Sequence, residues 1–94
     1  MRSKFSVNGE TYFVSDHAFD RLFQRSAVRN QDEAEERILE AMRDGYTEKN
    51  MGTRRGIKGL PREVVVVHRD IKLHIRENTI TTVTNNRAFL YSAA

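Results

Sequence analysis

The sequence contains no cysteine and no tryptophan, has one proline, and lacks any long apolar run. Disulfides, thiol redox chemistry and thiolate metal sites are therefore excluded. No stretch approaches the roughly 20 apolar residues that span a bilayer, and the first ten residues lack the apolar run of a signal peptide. We therefore expect a cytoplasmic protein without membrane association.

The length suits one small domain that covers residues 1–94. The hydrophobic content of 38% lies above the range of disordered chains, so we expect a folded domain with one modest core. The chain shows no internal repeat and no domain boundary.

Charge is unevenly distributed along this basic chain, which has a net charge of +3 and a pI near 9.6. Residues 30–44 hold six acidic and two basic residues, whereas residues 45–76 hold eight basic and three acidic residues. A basic patch suits a polyanion such as nucleic acid. The alternative is an ordinary solvated surface.

The segment "FSVNGETYFV" predicts a β-hairpin, because Asn8-Gly9 suits both positive-φ positions of a type I′ turn. A two-residue turn places alternate residues of both strands on one face. We expect that face to be the core side and to carry Phe5, Val7, Tyr12 and Val14.

Two helices should follow the hairpin. Ser15 suits the N-cap of the first, and Asn30 suits that of the second, with Glu33 placed as in a capping box and Gly45 at the end. The predicted buried stripe of the first helix is Ala18, Phe19, Leu22, Phe23 and Ser26, and that of the second is Ala34, Ile38, Ala41 and Met42 with Leu39 beside them.

Strands are predicted at about 63–69, 71–76 and 79–85, with a further short strand over "RAFLY" (87–91) and a short edge strand near Tyr46. A two-residue turn at 77–78 would pair Ile75 with Ile80. The same register would place Leu73 opposite Thr82 and His74 opposite Thr81. The expected fold is α+β: an N-terminal β-hairpin, two helices, then an antiparallel sheet of three to four strands.

Alternation along the strand at 71–76 places Lys72, His74 and Arg76 on one face, with Thr79 and Thr81 beside them. An imidazole suits acid–base catalysis near neutral pH, and cations stabilise a charged phosphorane. This pattern favours metal-independent RNA cleavage. The alternative is an exposed sheet face with solubilising charge.

Two further basic groups are candidates for nucleic-acid binding. His17, Arg21 and Arg25 stand four residues apart on the first helix, and a glycine-containing segment carries Lys49, Arg54, Arg55, Lys58 and Arg62. Either group is also compatible with an ordinary solvated surface. His68 is expected at the core margin in a structural role. The histidines have no close pair of acidic ligands, and glycine-rich nucleotide motifs are missing, so we expect no metal and no cofactor.

The segments "SDHAFDRLFQR" and "AMRDG" resemble the family of RelE-, ParE- and BrnT-like toxins, and in particular an uncharacterised bacterial and phage branch. The resemblance covers about residues 15–91 and includes a valine-rich strand at 64–67. It implies a RelE-like fold that cleaves RNA with basic and hydroxyl side chains, with Arg87 and Tyr91 in place of the C-terminal Arg and Tyr of that family. The N-terminal hairpin departs from the family pattern.

The expected function is therefore a small metal-independent ribonuclease of the RelE-like toxin type, with RNA as substrate and an antitoxin or host protein as partner. Its expected catalytic residues are His74, Lys72, Arg76, Thr81 and Tyr91. One alternative is a non-catalytic protein on the same scaffold, phage-encoded, that binds nucleic acid or inhibits a host enzyme. Another is a module whose acidic second helix docks on a basic protein.

Overall fold

The computed structural model describes residues 3–48 and 63–92. Within these ranges the chain begins with a β-hairpin, continues through two helices and four strands, and ends in a short helix. The elements are β1 (Ser3–Val7), β2 (Glu10–Val14), α1 (Asp16–Arg25), α2 (Gln31–Asp44), β3 (Tyr46–Glu48), β4 (Val64–His68), β5 (Ile71–Arg76), β6 (Thr79–Asn85) and α3 (Arg87–Ser92).

One six-stranded sheet has the order β1-β2-β6-β5-β4-β3, and its pairs are antiparallel except for β2 with β6. The α+β class, the hairpin and the two following helices are confirmed. The expected antiparallel sheet of three to four strands is wrong, because the hairpin joins the same sheet. The amides of Phe13 and Ser15 donate to the carbonyls of Asn78 and Ile80, at 2.8 and 3.0 Å, so neither β2 nor β6 is left with an unpaired edge at this junction.

The hairpin turn has the predicted backbone geometry. Asn8 and Gly9 have φ values of 52° and 83°, as both central positions of a type I′ turn require. The resulting register pairs Phe5 with Tyr12, whose rings stack with centroids 6.0 Å apart. This side of the hairpin faces the helices, as predicted.

Both helices begin at the predicted caps. The Ala18 amide donates to the Ser15 hydroxyl at 3.1 Å, and the Glu33 amide donates to the Asn30 side-chain oxygen at 2.9 Å. The Glu33 carboxylate accepts from the Arg29 amide rather than from Asn30 itself. These bonds satisfy amides that a helix start leaves without an internal partner.

Helices α1 and α2 cover one face of the sheet and form the core with it. Phe23 is expected in the buried stripe of α1, but it is 38% exposed. It lies about 100° around the helix from the buried Leu22, past the edge of the contact with the sheet. Ser26 is the C-cap and follows the helix. The core comprises Val14, Ala18, Phe19, Leu22, Ala34, Ile38, Ala41, Val66, Ile71, Leu73, Ile75, Ile80 and Val83, with Met42 partly buried against it.

A β-bulge changes the register between β5 and β6. Ile75 pairs with Ile80 as predicted, but His74 pairs with Thr82 and Leu73 with Val83, one residue later than expected. The shift places Val83, rather than a threonine, in the core opposite Leu73, and burial of the apolar residue favours this register.

The C-terminal segment forms α3, so the expected strand over residues 87–91 is wrong. The buried Asn86 ends the ladder: its backbone amide donates to the Asp70 carbonyl and its side-chain amide donates to the Arg69 carbonyl, both at 2.8 Å. With the carbonyls of the β4–β5 turn satisfied in this way, the chain leaves the sheet. The short edge strand near Tyr46 is confirmed as β3. Of the helices in the described ranges, none is both long and apolar enough to cross a membrane.

Candidate active site

The side of the sheet opposite to α1 and α2 presents the polar row of β5. We call it the outer face, and strand pairing determines its composition, because directly paired residues share a face. Lys72, His74 and Arg76 lie there with 26%, 19% and 39% of their side chains exposed. Their direct partners on β4 are Val65 beside His74 and Val67 beside Lys72, and Val67 is buried. The other neighbours on the same face are Thr84, Thr82 and Thr79 of β6, Tyr46 and Glu48 of β3, and Phe13 of β2.

His74 is held between a carboxylate and a hydroxyl. Its Nδ1 lies 3.4 Å from Glu63 Oε1, and its Nε2 lies 2.8 Å from Thr84 Oγ1. An ionised carboxylate only accepts hydrogen bonds, so Nδ1 carries the hydrogen. In the neutral ring Nε2 is then an acceptor, and the Thr84 hydroxyl donates to it. Nε2, the nitrogen that can act as a base, therefore already accepts a hydrogen bond from a hydroxyl group.

Two cations flank the imidazole along β5, each about 6–7 Å away by strand spacing. Arg76 Nε lies 3.8 Å from Glu63 Oε2, so one carboxylate contacts both the imidazole and the guanidinium. Lys72 Nζ lies 2.9 Å from Glu48 Oε2 on the neighbouring edge strand. The site thus combines an oriented acid–base group, a hydroxyl and two positive charges.

The structure brings together three of the predicted catalytic residues, Lys72, His74 and Arg76, but the other two differ from expectation. The Thr81 hydroxyl donates to the main-chain carbonyl of His74 at 3.2 Å rather than approaching the imidazole. Tyr91 belongs to α3, and its side chain lies outside the described part of the chain. The predicted nucleic-acid contacts Arg54, Arg55, Lys58 and Arg62, with Lys49, also lie outside the described residues.

The candidate row on α1 comprises His17, Arg21 and Arg25. It lies in the helix layer, across the sheet from His74, because α1 packs against β6 from the core side. Arg21 Nε donates to His17 Nε2 at 3.4 Å, and Arg25 donates to the Asn85 side chain at 3.3 Å. The structure does not group this row with the imidazole, and its role in nucleic-acid binding stays a prediction.

His68 lies at the margin of the core, as predicted, on the side of the sheet that α2 covers. Arg37 of α2 contacts its ring at 2.8 Å. Burial lowers the pKa of His68, and the positive charge of Arg37 lowers it further. Within residues 3–48 and 63–92, no group of three His, Asp or Glu side chains is arranged to hold a metal ion.

Glu63 and Thr84 are members of the site that the sequence reasoning missed. Glu63 stands two residues before Val65, so strand alternation places it on the face of His74 rather than on the core face. That signal was present in the sequence. Thr84 reaches the imidazole only because the bulge shifts β6 by one residue, and no local sequence pattern indicated that shift.

Comparisons with known proteins do not assign the chain to a family. No protein-family model, no curated protein and no solved structure matches it. The resemblance to RelE-like toxins therefore stays a prediction, and the function has to be inferred from the geometry of the outer face.

Proposed function

We propose that the protein is a small metal-independent ribonuclease of the RelE-like toxin type that cleaves RNA on the outer face of its sheet. The observation that carries the proposal is the continuous contact from Glu63 through His74 to Thr84. Lys72 and Arg76 on either side provide charge for a phosphate. A cytoplasmic location and an antitoxin or host protein as partner belong to the same proposal.

In the proposed reaction the ribose 2′-hydroxyl replaces the Thr84 hydroxyl at His74 Nε2. His74 removes the proton, and the 2′-oxygen forms a bond to phosphorus while the bond to the 5′-oxygen breaks. Solvent protonates the departing 5′-oxygen, because the cluster is partly exposed. The products are a 2′,3′-cyclic phosphate and a free 5′-hydroxyl. Glu63 orients the ring and stabilises the imidazolium that forms.

The two cations stabilise the charge that develops on the phosphate oxygens. In the free protein Arg76 and Lys72 contact Glu63 and Glu48. Partly exposed ion pairs of this kind contribute only about 0–1 kcal/mol, so a phosphate exchanges with the carboxylates at small cost. Charge-assisted hydrogen bonds from Arg to phosphate are stronger than this.

Cleavage of a labelled RNA in the presence of EDTA tests the proposal. The wild-type protein should cleave, and His74→Ala should lower the rate by about 10²- to 10⁴-fold, the usual contribution of a general base. His17→Ala is the matched control, since this exposed histidine lies on α1. Wild-type protein that leaves RNA intact, or a His74→Ala variant as active as the wild type, would overturn the ribonuclease assignment.

A second candidate is a nucleic-acid-binding protein without activity. The observation that favours it is the charge of residues 49–62, which contain five basic residues and no acidic residue. The residues that flank this segment, Glu48 and Glu63, both contact cations of the outer face. Salt-sensitive binding of RNA without cleavage would support this candidate over the ribonuclease.

A further inference from the structure

Two large aromatic side chains are exposed on the outer face. Phe13 of β2 is 38% exposed and Tyr46 of β3 is 65% exposed. Neighbouring residues on the same strands show that both rings lie opposite to the core, since Val14 is buried on the helix side and Thr47 pairs with the core residue Val66. Exposed aromatic rings beside a row of cations are the arrangement by which proteins bind single-stranded nucleic acids.

Strand pairing places the two rings on opposite sides of His74. One row across the sheet runs from Phe13 through Thr79 to Arg76. The other runs from Tyr46 through Val67 to Lys72. The rows meet β5 four residues apart and extend in opposite directions, so the rings stand about 23 Å apart on a diagonal that passes the imidazole.

We propose that Phe13 and Tyr46 stack on bases of a single-stranded RNA that crosses the outer face along this diagonal. The inference rests on the proposed function and defines its substrate: the scissile phosphate lies at His74, and one unpaired base on each side contacts a ring. Stacking on aromatic side chains requires bases that no partner strand covers. The two rings therefore select single strands over duplexes.

The surface between the rings fits a sugar–phosphate chain better than a protein partner. It carries the cations Lys72 and Arg76, each in contact with a carboxylate, and the threonines Thr79, Thr82 and Thr84 beside them. Cations and hydroxyls are the usual donors to phosphate and ribose oxygens. A protein interface would instead be expected to have a continuous exposed apolar centre. Here the two exposed rings stand about 23 Å apart, and Val67, which lies between Tyr46 and Lys72, is buried.

Phe23 provides a matched control for Phe13. Both phenylalanines are 38% exposed, but Phe23 belongs to α1 in the helix layer. Loss of either ring therefore removes a similar exposed apolar surface, while only Phe13 lies on the diagonal. Tyr46→Phe is the corresponding conservative variant on β3, because it keeps the ring and removes the hydroxyl.

Fluorescence anisotropy with a labelled ten-nucleotide RNA, single-stranded or annealed to its complement, tests the inference. Phe13→Ala and Tyr46→Ala should each weaken binding of the single strand on the order of 5- to 150-fold, the effect of losing one stacked base. Phe23→Ala and Tyr46→Phe should bind as the wild type does, and duplex affinity should not change. Equal affinity of Phe13→Ala, Tyr46→Ala and Phe23→Ala for the single strand would overturn the inference.

Cleavage of a dinucleotide separates this inference from the ribonuclease itself. A dinucleotide reaches His74 without reaching both rings, so the Phe13 and Tyr46 variants should slow cleavage of the ten-nucleotide strand more than they slow cleavage of the dinucleotide. Normal cleavage with no dependence on either ring would overturn the stacking positions and leave the ribonuclease. Ring-dependent binding without any cleavage would overturn the ribonuclease and leave the stacking positions.

Discussion

The guanidinium of Arg37 donates a hydrogen bond to Nδ1 of His68, with the two nitrogens 2.8 Å apart. A guanidinium has no acceptor, so Nδ1 must accept and the neutral ring carries its hydrogen on Nε2. Protonation of His68 would break this bond and place two cations in contact. The folded protein therefore favours a neutral imidazole at this position.

Stability should fall as pH decreases below the ordinary histidine pKa of about 6.5. Burial, then the charge of Arg37, lowers the pKa of His68 in the folded protein, with a further lowering by Arg69 and opposite contributions from Glu40 and Asp44. As the pH is lowered, the unfolded chain thus binds the proton first. The free energy of unfolding therefore decreases as the pH falls from the unfolded pKa of His68 to its folded pKa. Above the ordinary pKa this contribution is fully present. Urea unfolding at pH 7.5, 6.5 and 5.5 measures it.

The variant His68→Gln isolates this contribution. It removes the titrating group, so its free energy of unfolding should change less between pH 7.5 and 5.5 than that of the wild type. Identical slopes for His68→Gln and the wild type would contradict the prediction.

The two histidines of the sheet should have opposite tautomers when neutral. His68 accepts at Nδ1 from Arg37, whereas Nδ1 of His74 faces the Glu63 carboxylate at 3.4 Å and its Nε2 accepts from Thr84. Long-range ¹H–¹⁵N NMR spectra distinguish the two forms by their nitrogen shifts. We expect His68 as the Nε2–H form and His74 as the Nδ1–H form in one spectrum at pH 8.

Glu63→Gln is the sharper variant for this test. A neutral amide can donate or accept, so it no longer requires a hydrogen on Nδ1 of His74. The His74 signals should move towards a mixture of tautomers, while those of His68 should stay unchanged. A predominantly Nε2–H His74 in the wild-type protein would rule out the orientation on which the proposed base depends.

Local signals in the sequence predicted the elements that short-range chemistry determines. Asn8-Gly9 indicated the hairpin, and Ser15 and Asn30 indicated both helix starts, because turns and caps depend on neighbouring residues. The parallel pairing of β2 with β6 joins residues more than 60 positions apart. No local pattern encodes such a contact, so the sequence alone did not indicate that the hairpin joins the sheet.

The sequence predicted those residues of the site whose position follows from the alternation of side chains along a strand. Lys72, His74 and Arg76 share a face because a strand has a period of two. The hydroxyl partner of the imidazole was not predictable, since it depends on the bulge that moves Thr84, rather than Thr81, next to the ring. One inserted residue moves every later side chain of β6 to the opposite face of the sheet. The free energy gained by burying Val83 favours this register.

Arg37 should contribute strongly to stability. Its side chain is 13% exposed, and its guanidinium donates to the His68 carbonyl at 2.9 Å and to Asp70 at 3.1 Å. Arg37→Ala leaves these acceptors without their donor, at a cost of about 1–3 kcal/mol. Urea unfolding at pH 7.5 should show this loss. Arg29→Ala, whose side chain is 85% exposed, is the control and should change stability by at most about 0.5 kcal/mol.

Gly45 should not tolerate a side chain, although its backbone conformation is an ordinary one. Its φ is −77°, so left-handed strain is not the reason. A Cβ at this position would lie 2.5 Å from the Ala41 carbonyl oxygen and 2.7 Å from the Val67 carbonyl oxygen. Both are backbone atoms, so α2 and β4 would have to separate. Gly45→Ala should therefore lower the free energy of unfolding by about 1–3 kcal/mol, as overpacking usually does.

The turn glycine provides the contrasting control for Gly45. Gly9 has a φ of 83°, and a Cβ added to it would meet no atom within 4 Å, so only backbone conformation restricts this position. Gly9→Asn should be tolerated, because asparagine adopts positive φ readily. Urea unfolding should rank Gly45→Ala well below Gly9→Asn in stability. The reverse order would mean that α2 does not approach β4 as closely as the carbonyl of Val67 indicates. Close packing of α2 on β4 would then not be what positions β3 and holds Glu48 beside Lys72.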